Sequence, residues 1–171
     1  MVSDAFELAR LQLSTGPLHA FRDNLDPAIP QVAAGCYTVW DDTGRFVYAG
    51  MGGRGLTAQD IEVRQNDPRA KARGIRDRLV AHRNGRRSGD QFAVYVFDRF
   101  VLGSLTPEQL SAAVAGKRKL DDDVQTFIRE HLYYRWWQAR DGTEAFALEV
   151  SLVTKGLNGS LPFLNPREVQ D

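Results

Sequence analysis

The chain contains one cysteine, Cys36, and carries no net charge, because 22 Lys and Arg are matched by 22 Asp and Glu over 171 residues. A lone thiol excludes a disulfide framework within the chain. Cys36 also lies inside an apolar run with no second thiol or histidine pair beside it, so a reducing, cytoplasmic setting is expected. The zero balance removes the overall basic signature that many nucleic-acid-binding domains show, and any such partner must be argued from local charge. No stretch approaches the roughly 20 apolar residues of a membrane span, and residues 1–13 lack the basic region and apolar block of a targeting segment. A soluble, unprocessed protein that makes no membrane contact is expected, a monomer by default. Internal repeats and low-complexity tracts are absent too.

What is present, 43% hydrophobic and 26% charged residues, suffices to bury one core and is too short a chain for two. Residues 1–33 read as an N-terminal arm: Phe6, Leu8, Ala9, Leu11 and Leu13 only roughly follow helical spacing, and three prolines follow at 17, 27 and 30. The remaining domain, 34–171, opens with two β-prone runs, 35–40 and 45–49, separated by the turn residues Asp41, Asp42, Thr43 and Gly44. That is a β-hairpin.

A glycine-rich segment, 50–55, follows. It lacks the terminal Lys-Ser/Thr of a phosphate loop and the helix and acidic residue of a dinucleotide fingerprint, so it is read as a turn that lets backbone approach a site. Thr57 offers an N-cap for a short helix that Asn66, Asp67 and Pro68 end, and 70–82 reads as a further helix. The β-branched and aromatic run 91–97 reads as a strand. Thr106, Pro107 and Gln109 then form a capping pattern ahead of another helix. Val124, Phe127, Ile128, Leu132 and Trp136 approximate one face of a long helix over 121–139, and 145–153 is a final apolar segment. The order β-β-α-β-α-α-α predicts an α+β fold, a small mixed or antiparallel β-sheet flanked by helices.

The hairpin carries Gly35-Cys36-Tyr37 on one strand and Tyr48-Ala49-Gly50 on the other. Downstream, Arg78 and His82 stand four residues apart on one helical face. Glu149 lies in an apolar segment, followed by Asn158 and by Pro162 to Asn165. In this order and at this hairpin spacing, the pieces resemble the signature of the GIY-YIG nuclease superfamily over residues 35 to about 165. Three features depart from it. Cys36 and Ala49 replace isoleucine, Met51 stands where a lysine or small polar residue is common, and the gap from Gly50 to Arg78 is longer than in compact members.

The resemblance implies a metal-dependent endonuclease that hydrolyses DNA phosphodiester bonds, with RNA not excluded. Its catalytic set would be Tyr37, Tyr48, Arg78, His82 and Glu149. Glu149 would be the one protein carboxylate on Mg²⁺ or Mn²⁺, hard cations that keep most of their waters. Arg78 would contact the scissile phosphate through its planar fork. Tyr37 is the family's candidate general base, although a free phenol ionises near about 10 and needs a neighbour to help it. Tyr48 would position water or phosphate, and His82 would bind phosphate or orient Tyr37.

Each residue also has a plainer role open to it: a salt-bridged surface glutamate, a solvated helix arginine, aromatics packed on a sheet, a histidine satisfied by a neighbour. Tyr133, Tyr134, Trp136 and Trp137 could stack on bases, but their spacing favours the core. From Arg64 to Arg87, nine basic residues face only Asp67 and Asp77. Within this run Arg73, Arg76, Arg83, Arg86 and Arg87 are the expected nucleic-acid contacts, and Arg73, Arg76 and Arg83 compete with Arg78 for the motif position. The alternative from another class is a catalytically inactive nucleic-acid-binding or protein-interaction module that keeps the fold.

Overall fold

The computed structural model describes residues 2–165, so the last six residues of the expected domain lie outside them. Helix α1 (Val2–Thr15) leads into the short strands β1 (His19–Ala20) and β2 (Val32–Ala33), then the hairpin β3 (Gly35–Asp41) and β4 (Phe46–Gly52). The chain continues through α2 (Ala58–Arg64), β5 (Arg73–Gly74), α3 (Ile75–Asn84) and α4 (Gln91–Val96). It ends with α5 (Pro107–Val114), α6 (Leu120–His131), β6 (Leu132–Gln138) and α7 (Gly142–Lys155). The fold is α+β. A four-stranded antiparallel sheet runs in the order β1-β6-β3-β4, and β2 and β5 form a separate parallel pair. Among the described residues no helix is long and apolar enough to cross a membrane.

Helices cover both faces of the sheet, and the alternation of side chains along β3 and β4 decides what each face meets. Tyr37 and Val39 join a core with Ile75 and Leu79 of α3, Phe92 and Val96 of α4, and Val124 and Ile128 of α6. Cys36, Trp40 and Ala49 point the other way, onto Ala9 and Leu13 of α1 and Leu148 and Leu152 of α7. Residues 2–33 are therefore integrated with the rest: Thr38 donates to the Leu13 carbonyl at 2.7 Å, Arg135 to that of Gly16 at 2.8 Å, and β1 pairs with β6.

Three element assignments differ from the sequence reading. The run 91–97 is not a strand. Asp90 caps its start by accepting from the Phe92 amide, and Phe92, Ala93 and Val96 bury one helical face, so packing and a cap override β-propensity. The expected helix over 121–139 ends at His131, and the aromatic remainder, Leu132 to Gln138, is the central strand β6. The expected helix over 70–82 begins five residues late, at Ile75, because Arg73 and Gly74 pair with β2. The caps at Thr57 and Thr106 form as the sequence predicts, each with reciprocal side-chain and backbone bonds.

Candidate active site

The site gathers where the edge strand β4 runs out into glycines. On the face turned towards α3, β4 presents Tyr48, then Gly50 and Gly52. The two bare positions let other groups come close. A Cβ at Gly50 would collide with the Tyr37 hydroxyl, and one at Gly52 would collide with the Gly74 backbone at the start of α3. Gly74 itself sits at φ +89°, a conformation that favours glycine, and a Cβ there would overlap the Ala33 carbonyl. The start of α3 is thereby pressed against the end of the hairpin.

Within α3, Ile75, Leu79 and His82 form the buried stripe. His82 thus occupies a core position, fully buried, and its ring bridges two partners: Nε2 lies 2.6 Å from the Tyr37 hydroxyl and Nδ1 2.7 Å from Asp90 Oδ2. Phe92 packs on the imidazole at 4.4 Å between centroids, and Tyr48 meets it edge-on at 6.0 Å. Burial raises the Tyr37 phenol well above its ordinary pKa and pushes Tyr48 up to about 12, so both are neutral hydroxyls at neutral pH. Burial also lowers the His82 pKa, while Asp90 pulls the other way.

Glu149 arrives from the opposite face of the sheet, on α7. The N-terminus of α7 docks on the glycine-rich turn, where the Gly142 amide donates to the Leu56 carbonyl at 2.8 Å and Asp141 caps the helix by accepting from the amides of Thr143 and Glu144. The Glu149 carboxylate and the Arg78 guanidinium line one open, polar cleft of about 410 Å³, together with Arg54, Arg73, Asp77 and the glycine-rich backbone. Burial raises the Glu149 pKa, and the Met51 backbone amide, Arg54 and Arg78 draw it back down. The same charges reach the phenols: Arg78 lowers both tyrosine pKa values while Glu149 raises them. The five residues of the expected catalytic set are divided between a cleft, lined by Arg78 and Glu149, and a buried hydrogen-bonded pair, Tyr37 and His82, with Tyr48 half-buried beside them.

Among the described residues there is no cluster of three or more His, Cys, Asp and Glu side chains able to hold a metal. Glu149 and Asp77 are the carboxylates that line the cleft, and so sparse a set suits a hard ion that retains water and completes its shell with phosphate oxygens. A carboxylate whose charge is disfavoured by burial would gain from such an ion.

The expected nucleic-acid contacts separate. Arg73 lines the cleft, and Arg86 lines a neighbouring depression of about 260 Å³ that shares Asp77 with it. Arg76 instead donates twice to the Ile29 carbonyl, at 3.1 and 2.9 Å, and Arg83 donates to the Phe21 carbonyl at 2.9 Å. Arg87 pairs with Asp121 at 2.7 Å and covers the Phe97 ring. The long stretch between Gly50 and Arg78 holds α2 and β5, which leave Arg78 at the cleft. Asn165 pins β4 beside Tyr48, its side-chain amide bonding both the N–H and the carbonyl of Ala49 at 2.8 Å. Of the aromatics on β6, Tyr134 is core, whereas Trp136 donates to Asp26 at 2.9 Å.

Two residues of the site escape the sequence reading. Arg54, stacked over Phe146 at 4.0 Å, is a cation inside the glycine-rich turn. Asp90 has the signal of a helix N-cap after Gly89, which would have exposed both α4 and the histidine partner. Comparison of the chain with protein-family models, with curated proteins and with solved structures gave no match.

Proposed function

We propose that this chain is an endonuclease of the GIY-YIG type, hydrolysing phosphodiester bonds of DNA with one divalent cation, Mg²⁺ or Mn²⁺. The observation that carries the reading is the convergence of Arg78 and Glu149, from helices on opposite faces of the sheet, on one cleft beside the Tyr37–His82 pair. Phosphodiester hydrolysis requires a deprotonated water, cationic groups for the phosphoryl oxygens and help for the leaving oxygen. Glu149 would hold the cation, which when bound supplies Lewis acidity and a more acidic water. Arg78 presents a permanently charged fork to the scissile phosphate, and Arg54 and Arg73 bind flanking phosphates at the rim. Tyr48 orients the attacking water or the phosphate by hydrogen bonding, and Tyr37 acts as the general base.

One observation favours the inactive module instead: Tyr37 is only 1% exposed and its hydroxyl is already bonded to His82. Incubation of the purified protein with supercoiled plasmid and Mg²⁺ or Mn²⁺ separates the readings. Nicked or linear product that disappears with a chelator and in Glu149→Gln supports the nuclease. A retarded but intact plasmid under every metal condition supports the module, and duplex and single-stranded RNA run in parallel test the other nucleic acid.

A further inference from the structure

We infer that Asp90 is a positioning residue of the proposed hydrolysis: it holds the proton of His82 on Nδ1, which leaves Nε2 to take the Tyr37 proton and makes a buried phenol a proton acceptor for the attacking water. The role rests on the nuclease reading above; the tautomer does not.

The geometry fixes the direction of the relay. Tyr37, His82 and Asp90 are 1%, 0% and 4% exposed, so bulk water does not compete for the hydrogen bonds among them, and the attacking water must be admitted to the phenol when the substrate binds. Asp90 Oδ1 accepts from the Phe92 amide at 3.2 Å, and Oδ2 lies 2.7 Å from His82 Nδ1. Asp90 as a carboxylate is an acceptor only, so we place the ring proton on Nδ1. Nε2, 2.6 Å from the phenol oxygen, is then the acceptor of the Tyr37 O–H. The opposite tautomer would set two lone pairs against each other at 2.7 Å in a dry interior. Phe92, tilted against the ring at 4.4 Å between centroids, and the N-cap bond of Asp90 hold both groups in place.

This direction solves the difficulty of a buried tyrosine base. As the water O–H breaks, a new O–H forms on Tyr37, and the original phenolic proton moves to Nε2. The ring becomes an imidazolium beside the Asp90 carboxylate, so the charge that burial would penalise is compensated. The hydroxide forms the new P–O bond, and the electron pair of the breaking P–O bond goes to the leaving oxygen, which takes a proton from solvent. His82 then returns its proton through Tyr37.

The test reads the tautomer and the reaction separately. Long-range ¹H–¹⁵N spectra of the wild-type protein are simple to assign with three histidines, and His82 is expected protonated on Nδ1 with Nε2 in the hydrogen-bonded acceptor range. Asp90→Asn offers an N–H to Nδ1 and should move the proton to Nε2, reversing the bond to Tyr37. The single-turnover cleavage rate should then fall by about 10²- to 10⁴-fold with the half-saturating DNA concentration changed by less than about 2-fold, as expected when a base is held in the wrong tautomer. Asp90→Glu, which keeps an acceptor, should recover at least about 10-fold of the loss. For the wild type, rates in H₂O/D₂O mixtures should curve as two moving protons require, a readout that survives if the variants fail to fold. A wild-type His82 protonated on Nε2, a linear isotope dependence, or an Asp90→Asn protein with switched tautomer and an undiminished rate would overturn the inference and leave the nuclease reading standing. Absence of any wild-type cleavage would sink that reading and the role of Asp90 with it, while the spectra still decide the tautomer.

Discussion

Gly50 stands directly opposite Tyr37 in the β3–β4 ladder, and the volume that a Cβ would take at Gly50 holds the Tyr37 hydroxyl. An added methyl would also sit 2.6 Å from Tyr37 Cζ and 2.9 Å from Tyr48 Cε1, and both rings are hemmed in by His82 and Phe92. Gly50→Ala is therefore expected to push the hydroxyl off His82. Overpacking of this kind costs about 1–3 kcal/mol, and each kcal/mol lowers Tm by about 2–4 °C in a domain of this size. Melting and plasmid cleavage measured on one preparation check it; if both are unchanged, Gly50 does not make room for the site.

Tyr37→Phe removes the hydroxyl without changing the ring. It leaves Nε2 of a fully buried imidazole without its partner, which costs about 1–3 kcal/mol. If the hydroxyl also transfers a proton, cleavage falls by about 10²-fold or more. Loss of stability with a near-wild-type rate would make Tyr37 structural only.

The hairpin is legible in the sequence because its strands are β-prone, its turn residues are polar, and its register follows from alternation: Tyr37, Tyr48 and Gly50 share one face. The helices at 58 and 107 are legible from the N-cap at Thr57 and the capping pattern of Thr106, Pro107 and Gln109. Strand β6 is not, because Leu132 and Trp136 continue the period of α6 by coincidence, and only pairing on both sides by β1 and β3 reveals the switch. The site divides in the same way. Tyr37, Tyr48, Arg78, His82 and Glu149 are picked out by the resemblance to the GIY-YIG pattern, whereas Asp90 and Arg54 come from turns whose place is set by tertiary packing. For the same reason Arg76, Arg83 and Arg87, alike in sequence to Arg73 and Arg86, have acquired partners within the fold.

Burial raises the Glu149 pKa above its ordinary 4.5, so folding disfavours the charged form relative to the unfolded chain. The contribution to stability is then full below the unfolded pKa and is lost as pH rises through the folded one. Without divalent ions, Glu149→Gln should therefore match or exceed the wild-type Tm at pH 7, and the advantage should vanish below the ordinary carboxylate range. Mg²⁺ or Mn²⁺ should reverse the order by stabilising the wild type alone, since a ligand that binds only the native state raises Tm by mass action. Cleavage should disappear in the variant. An equal metal-induced rise in Tm for both proteins would remove Glu149 from the metal site.

Arg78 and Arg76 are neighbours on α3 with opposite expectations. Arg78 faces the cleft, and Arg78→Ala should lower turnover more than affinity, because its contact strengthens as phosphoryl charge develops. Arg76 holds the loop at Ile29 through two bonds to one carbonyl, and Arg76→Ala should cost about 1–2 kcal/mol of stability with little effect on turnover per folded molecule. Chemical denaturation alongside single-turnover cleavage distinguishes them, and a turnover defect confined to Arg76→Ala would exchange their roles.

A protein of zero net charge must hold a polyanion through a local surface, and the salt dependence of binding identifies it. Each phosphate neutralised on duplex DNA contributes about −0.9 to the log-log slope of affinity against salt. Arg54 and Arg73 line the cleft and Arg86 lines the depression next to it, whereas Arg83 and Arg87 are spent on the Phe21 carbonyl and on Asp121. Replacing Arg54, Arg73 and Arg86 by alanine should flatten the slope by about 2 to 3 units and weaken binding on any sequence alike. The triple change at Arg83, Arg86 and Arg87, the basic residues at the end of the run that starts at Arg64, should flatten it by no more than about 1 unit, while lowering Tm through the lost carbonyl bond and ion pair. Titrations of a labelled duplex at several salt concentrations check both. If the second triple flattens the slope as much as the first, Arg83 and Arg87 leave their internal partners to meet DNA, and the binding surface runs along α3 and the loop after it, outside the cleft.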